Sequence, residues 1–355
     1  MRARVRVWEK FRRWLLAARG RAYPEDVKDT IAYVQELERE GCGKTVPGSF
    51  AAALCVIEEA GGVPLAARLS QHPTWMAVVG HMTAEGQHSA PPVVKARPFT
   101  IAMVISLELA VLSSRPAYQR ALAWVRLVKV WGCMRCSDLM HASPQLARLD
   151  ERALTLVLSQ TKTTGPGKRT GAIRAYVHRQ ASLSGKDWLL VGWNLWQTPE
   201  FSYKRDYLVP RAAPCLTRVA RKMAEFVDMA GNGRALLGGL GVPVWDKKLG
   251  WHESEQRLLP GGTCNLFSEH SERHVLPTLT AQMGVAKDRR DCLGRWNIQH
   301  STDYAHAAKH TVLQVQEETL KWLMEARWHP HHKRMTAGGW RGAEKFGCPL
   351  DVAHA

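Results

Sequence analysis

One stretch divides the patterning of this chain in two. From Ala84 to Pro98 the sequence reads AEGQHSAPPVVKARP, where Gly, Ser and three prolines end the helical periodicity that precedes it. Proline lacks an amide hydrogen and fixes φ, so such a run neither continues a helix nor enters the middle of a sheet. A connecting segment is therefore expected over 86–98, between a module covering 1–85 and a larger one covering 99–328. A basic, His-containing tail over 329–355 follows.

The first module reads as helical throughout. Val7, Phe11, Trp14 and Leu15 share one helix face, with Arg2, Arg4, Arg6, Lys10, Arg12 and Arg13 interleaved. Pro24 suits the start of a second helix carrying Val27, Ile31, Val34 and Leu37, and Ser49 suits the cap of a third carrying Phe50, Leu54 and Ile57. A fourth helical stretch covers about Thr74 to Met82. The basic face of this module is either a solvated surface or a set of phosphate contacts.

The second module changes period along its length. Phe99–Leu112 and Ala117–Met140 are helix-like. Ala153–Leu158 then alternates, as does Ile173–Val177, and the two flank a turn-rich tip containing Lys162 and Lys168. Trp188–Trp193 reads as a third strand. Leu216, Val219, Ala220, Met223, Phe226 and Val227 fit one amphipathic helix, and the glycine-rich GNGRALLGGLG after it reads as connection. Phe267–Gly284, with Pro277 as a kink, and Lys287–Trp296 read as two more helices, and a last amphipathic stretch carries Val312, Val315, Leu320 and Leu323. The expected fold class is mainly α with a small antiparallel β-sheet, a helical domain followed by an α+β domain.

The partner class comes from charge. Of 355 residues, 49 are Lys or Arg and 32 Asp or Glu, a net +17 that favours a polyanion, because each neutralised phosphate releases condensed counterions. The eight cysteines form no secreted disulfide framework, and Cys133-x-x-Cys136 has no second pair at zinc spacing, so no metal centre is assigned. The tail's His329, His331, His332 and Cys348 are the other candidate metal ligands. The Arg-rich N-terminus lacks a cleavage site, and Phe99–Leu112, interrupted by Glu108, is too short to span a bilayer. An intracellular, DNA-associated protein without membrane contact is expected.

Five pieces then fall in one order: Arg135 with Asp138, Lys162 at a hairpin tip, His270-x-x-Arg273-His274, Leu293-Gly294-Arg295-Trp296, and Tyr304. Arg135 and Lys162 are 27 residues apart, Arg273 and Tyr304 are 31 apart, and Trp296 and Tyr304 are eight apart. Over about residues 99–325 this resembles the tyrosine recombinase (phage-type integrase) family. The helical module also resembles that family's core-binding domain, and the LGRW variant with the 108-residue interval from Lys162 to His270 points toward eukaryotic mobile-element members.

The resemblance implies cleavage and rejoining of double-stranded DNA through a 3′-phosphotyrosyl intermediate, by a homo-tetramer, without metal, ATP or other cofactor. It implies that Arg135 and Arg273 grip the non-bridging phosphate oxygens, a task suited to planar, permanently charged donors. Tyr304 is the implied nucleophile and Lys162, with Lys168 as the alternative, the implied acid for the leaving 5′-oxygen. His270 would assist proton transfer at the tyrosine or hold the phosphate, with His274 beside it. The position after Leu-Gly is taken by Trp296, whose indole N–H reaches an oxygen, or by Arg295 on strict counting from Tyr304. The family's C-terminal helix docks on a neighbouring subunit, and the same is expected after Tyr304. A type IB topoisomerase-like enzyme and a catalytically silent, domesticated DNA-binding protein are the alternative functions.

Overall fold

The computed structural model describes residues 2–89, 96–161, 172–213, 218–295 and 303–328. The chain forms two compact units, 1–94 and 95–355. Among the described residues, no helix is long and apolar enough to cross a membrane.

In the first unit, α1 (Arg2–Arg19), α2 (Val27–Arg39), α3 (Val46–Ala60) and α4 (Pro73–His88) enclose an aromatic core. Phe50 lies 4.9 Å from Phe11, 5.0 Å from Tyr33 and 5.5 Å from Trp75, ring centre to ring centre. Asp26 caps α2 by accepting from the Lys28 amide, and prolines open α3 and α4, where a missing N–H is harmless. Arg6, Lys10, Arg12 and Arg13 are exposed on α1, opposite buried Trp8, Phe11 and Leu15. The fourth helix continues to His88, so the stretch 86–88 is helical and not connecting chain.

The second unit is built on a helical pair, α5 (Ile101–Leu112) and α6 (Ala117–Trp131). Helix α6 is buried on nearly every side, which demands apolar residues all round; Arg126 and Lys129 are the exceptions. After α7 (Cys136–Met140) comes an antiparallel sheet in the order β1 (Arg148–Leu149), β2 (Ala153–Leu158), β3 (Ile173–His178). Helix α8 (Trp188–Trp196), the pair β4 (Pro210–Ala212) and β5 (Val219–Met223), helix α9 (Phe226–Gly238) and the hairpin β6 (Gly241–Asp246)–β7 (Gly250–Arg257) follow. A short 3-10 turn at Glu272–His274 leads into α10 (Val275–Gln282), α11 (Lys287–Gly294) and α12 (Asp303–Trp328).

Several segments differ from their sequence patterns, each for a visible reason. Trp188–Trp193 is helix and not strand: Asp187 caps it by accepting from the Leu190 amide, and Gly192 leaves room for the Trp124 ring. The third strand is β1 instead. Residues 219–227 are not one helix, because β5 pairs with β4, and a new helix starts only where the Glu225 amide donates to Asp228 Oδ2 at 2.9 Å; Leu216 lies outside the described residues. Most of the glycine-rich connection is the body of α9. Pro277 does not lie inside a helix that begins at His270, because α10 starts only at Val275. It sits in the first turn of α10, where no intrahelical partner exists for an amide.

Glu108 gives this unit a pH dependence. Fully buried on α5, it accepts from the Leu183 amide (3.0 Å), the Ser184 amide (2.8 Å) and Ser182 Oγ (3.0 Å). Burial pushes its carboxyl up to about 7, against the pull of those donors. The folded chain thus keeps a proton that the unfolded chain releases above an ordinary 4.5. Stability from this group is full below that value and is lost as pH rises through about 7. In urea unfolding, the lead of the wild type over Glu108→Gln is expected to shrink between pH 5 and pH 8. A constant lead would show that Glu108 holds no extra proton.

Candidate active site

The site starts where α6 stops. Gly132 ends the helix, Cys133 takes the left-handed conformation at φ 47°, and the Met134 amide reaches back to Lys129 O at 3.1 Å. This closing motif usually places glycine where Cys133 stands. The expected continuous helix to Met140 is therefore broken, and Arg135 opens α7 from the N-cap position. Cys133 is in the turn and not on a helix, and burial pushes its thiol up to about 12.

A second left-handed residue, Arg295 at φ 56°, ends α11 and holds the first one in place. Its guanidinium donates to Gly132 O at 2.8 Å and to Cys133 O at 3.1 Å. Two strained backbone positions, 162 residues apart in sequence, are thus clasped together. The same contacts commit Arg295 to the turn that presents Arg135.

Arg273 completes the cluster from the 3-10 turn. Its Nη2 donates to Gly294 O at 3.1 Å, tying the turn to the end of α11. Only 5% exposed, it is pulled down to about 10, first by burial and then by the fields of Arg135 and Arg295, while Asp138 opposes them. Asp138 itself is 2% exposed and lies 3.6 Å from the Arg135 guanidinium, which keeps 33% of its surface in solvent. Three guanidiniums therefore share one region with Asp138. An anion placed there relieves both the desolvation and the like-charge repulsion.

His270 is exposed, its amide donating to Ser268 Oγ at 3.2 Å, and its ring lines a cleft with Arg126, Gly233 and Arg234. No hydrogen bond or ion pair among the described residues joins it to Arg135, Arg273 or Arg295. His274 is exposed on the same turn as Arg273. Lys162, its alternative Lys168 and Trp296 lie outside the described residues, as do the tail histidines and Cys348. The backbone of Tyr304 belongs to the first turn of α12.

That helix is held by its own chain. Buried Gln316 donates to Trp131 O at 2.7 Å and Tyr176 O at 3.0 Å, and its Oε1 accepts from the His178 amide at 2.6 Å. Val312, Leu313, Val315 and Leu320 join the core of the second unit, and Arg289 pairs with Glu318 at 3.0 Å. Over this span α12 packs against its own chain.

The sequence pattern also leaves out a buried ionic group beneath the Arg273 turn: Arg126 and Lys129 of α6 with Glu269 and Glu272. Glu269 is held down to about 2 although its burial works the other way, because Arg126 and Lys129 face it. Two charges three residues apart inside an otherwise apolar helix are the signal for it.

No protein-family model matches the chain, and no curated protein matches it. Among solved structures, the chain is similar to the integrase of transposon Tn1549 in complex with circular intermediate DNA, at 14% identity and a TM-score of 0.42 over 85% of this chain and 91% of that one. It is similar to the integrase of mycobacterium phage Brujita at 13% identity and a TM-score of 0.34, with 90% of each chain covered. The XerH site-specific recombinase bound to its difH substrate is similar at 12% identity and a TM-score of 0.36, over 79% of this chain and 72% of that one.

Proposed function

We propose that the chain is a tyrosine recombinase that cuts and rejoins double-stranded DNA. The observation that carries this is the convergence of Arg135, Arg273 and Arg295 around Asp138, from three segments far apart in sequence. Arg135 and Arg273 are the phosphate-gripping pair, and Arg295 holds the turn that aims Arg135. The order of Arg135, Lys162, Arg273 and Tyr304 along the chain supports the same reading.

In this reading the Tyr304 oxygen attacks the phosphorus in line with the 5′-oxygen. The P–O5′ bond breaks as the tyrosyl P–O bond forms, leaving a 3′-phosphotyrosyl ester and a 5′-hydroxyl. A phenol is a weak acid, so its proton must leave during attack, and His270 would assist that transfer or hold the phosphate. Lys162 supplies the proton to the 5′-oxygen, and Trp296 donates to a phosphate oxygen. The two guanidiniums stabilise the charge that builds on the pentavalent phosphorus. Rejoining reverses the same steps, because the ester conserves the energy of the broken bond. A tetramer on paired sites, acting in the nucleus or nucleoid of a host with mobile elements, is the corresponding assembly.

The test uses the full chain with a pool of randomly nicked duplex fragments, in which a short 3′ piece diffuses away after cleavage and strands the intermediate. An SDS-resistant adduct is expected, with the DNA on the peptide that contains Tyr304; sequencing the attached strand gives the site. Binding without adduct would instead indicate a silent DNA-binding protein. Relaxation of supercoiled plasmid at no preferred sequence would indicate a topoisomerase-like activity.

A further inference from the structure

Resting on the strand-transfer reading above, we propose that Arg126, Lys129, Glu269 and Glu272 are positioning residues that set the place of the Arg273 guanidinium. None of the four belongs to the phosphate-gripping set. They form a closed square of charges with no net charge. Arg126 Nη2 meets Glu269 Oε1 at 2.5 Å, Lys129 Nζ meets Glu269 Oε2 at 2.7 Å and Glu272 Oε1 at 3.3 Å, and Arg126 Nη1 pairs with Glu272 Oε1. All four side chains are buried, between 0% and 3% exposed.

Location gives the square its role. Glu272 immediately precedes Arg273, and Glu269 immediately precedes His270. The turn carrying both proposed site residues is thus pinned at two points to α6, the helix whose end leads into Arg135. Arg126 also donates to Met229 O at 2.8 Å, so α9 is bound into the same group. Gly233 on α9 leaves the space that the Arg126 guanidinium fills: a Cβ there would lie 1.5 Å from Nη2.

Apolar packing would bury this surface as well, and a buried ion pair replaced by apolar groups of equal volume is often neutral for stability. What charges add is direction. Each fixes its partner within a few tenths of an ångström, whereas an apolar contact tolerates sliding. A displacement of about 1 Å in a group that grips a reacting phosphate costs up to about a hundredfold in rate.

The experiment separates positioning from stability. The double variant Lys129→Met/Glu269→Gln removes three of the four ionic contacts and keeps Arg126 paired with Glu272, so no lone charge is left inside. Expected results are a melting temperature and DNA affinity close to wild type, amide hydrogen exchange over 269–275 faster by about tenfold, and single-turnover adduct formation slower by at least about tenfold. Lys129→Arg, which keeps the charge, is expected to stay closer to wild type than the double variant in both measurements. Unchanged exchange over 269–275 in the double variant overturns the proposal. So does faster exchange combined with an unchanged adduct rate. If the wild type itself forms no adduct, the strand-transfer reading fails, and exchange alone then decides whether the square orders the turn.

Discussion

Tyr304→Phe is expected to remove covalent DNA linkage altogether while leaving DNA affinity within about threefold. Deleting the nucleophilic oxygen leaves no atom to form the ester, so the loss is of kind and not of degree. The fold is not expected to change. Phenylalanine and tyrosine have similar helix propensities, and α12 is anchored far from its first turn by Gln316, Val315 and Leu320. Phosphate contacts, which supply most of the affinity for a polyanion, are untouched. An adduct that survives SDS in this variant would remove Tyr304 from the role of nucleophile, and the linked peptide would name its replacement.

The largest stability effect is expected from a single methyl group at Gly233. An alanine Cβ there would stand 1.5 Å from Arg126 Nη2 and 2.4 Å from Cζ, so the guanidinium must leave. Its departure leaves Glu269 and Glu272 to share Lys129, with one negative charge uncompensated in the interior, and breaking a buried pair on one side costs about 3–5 kcal/mol. The helix-forming advantage of alanine over glycine returns at most about 1 kcal/mol. Gly231, on the same helix, meets nothing within 4 Å of its own hypothetical Cβ. Gly231→Ala should therefore stabilise slightly while Gly233→Ala destabilises strongly. Urea unfolding of the two variants checks this, and equal midpoints would mean that Arg126 is free to move aside.

The contrast between these glycines explains what could be read from the sequence and what could not. Helices α1 to α4 and strands β2 and β3 carry apolar residues at regular spacing, and a period survives without knowledge of the partner. Helix α9 carries no such period. Its glycines look like loop residues until Arg126, more than a hundred positions earlier, is seen to occupy the missing side chain's place. Trp188–Trp196 is almost uniformly apolar, so neither a two-residue nor a 3.6-residue period stands out. The break at Gly132–Arg135 is hidden for a different reason. Cys133 is an uncommon choice for a left-handed position, and its support comes from Arg295 at the other end of the domain.

At the site, the arginines of the proposed phosphate grip stood out by residue type and order, since guanidiniums suit phosphates wherever they occur. The choice between Arg295 and Trp296 could not be made by counting. The two hydrogen bonds from Arg295 to Gly132 and Cys133 show how its guanidinium is used. The charge square escaped because Lys and Arg are ordinarily surface residues. Only burial on α6 turns Arg126 and Lys129 into a pair that must be answered by two carboxylates.

The anchoring of α12 has a consequence for how mixed assemblies behave. Gln316 lies a dozen residues past Tyr304, about 18 Å along the helix, and its three bonds are all to the same chain. Under the proposed function, Tyr304 is then tethered to the domain that carries Arg135 and Arg273 of the same polypeptide. A mixture of a chain lacking Arg273 and a chain lacking Tyr304 is then expected to form no adduct.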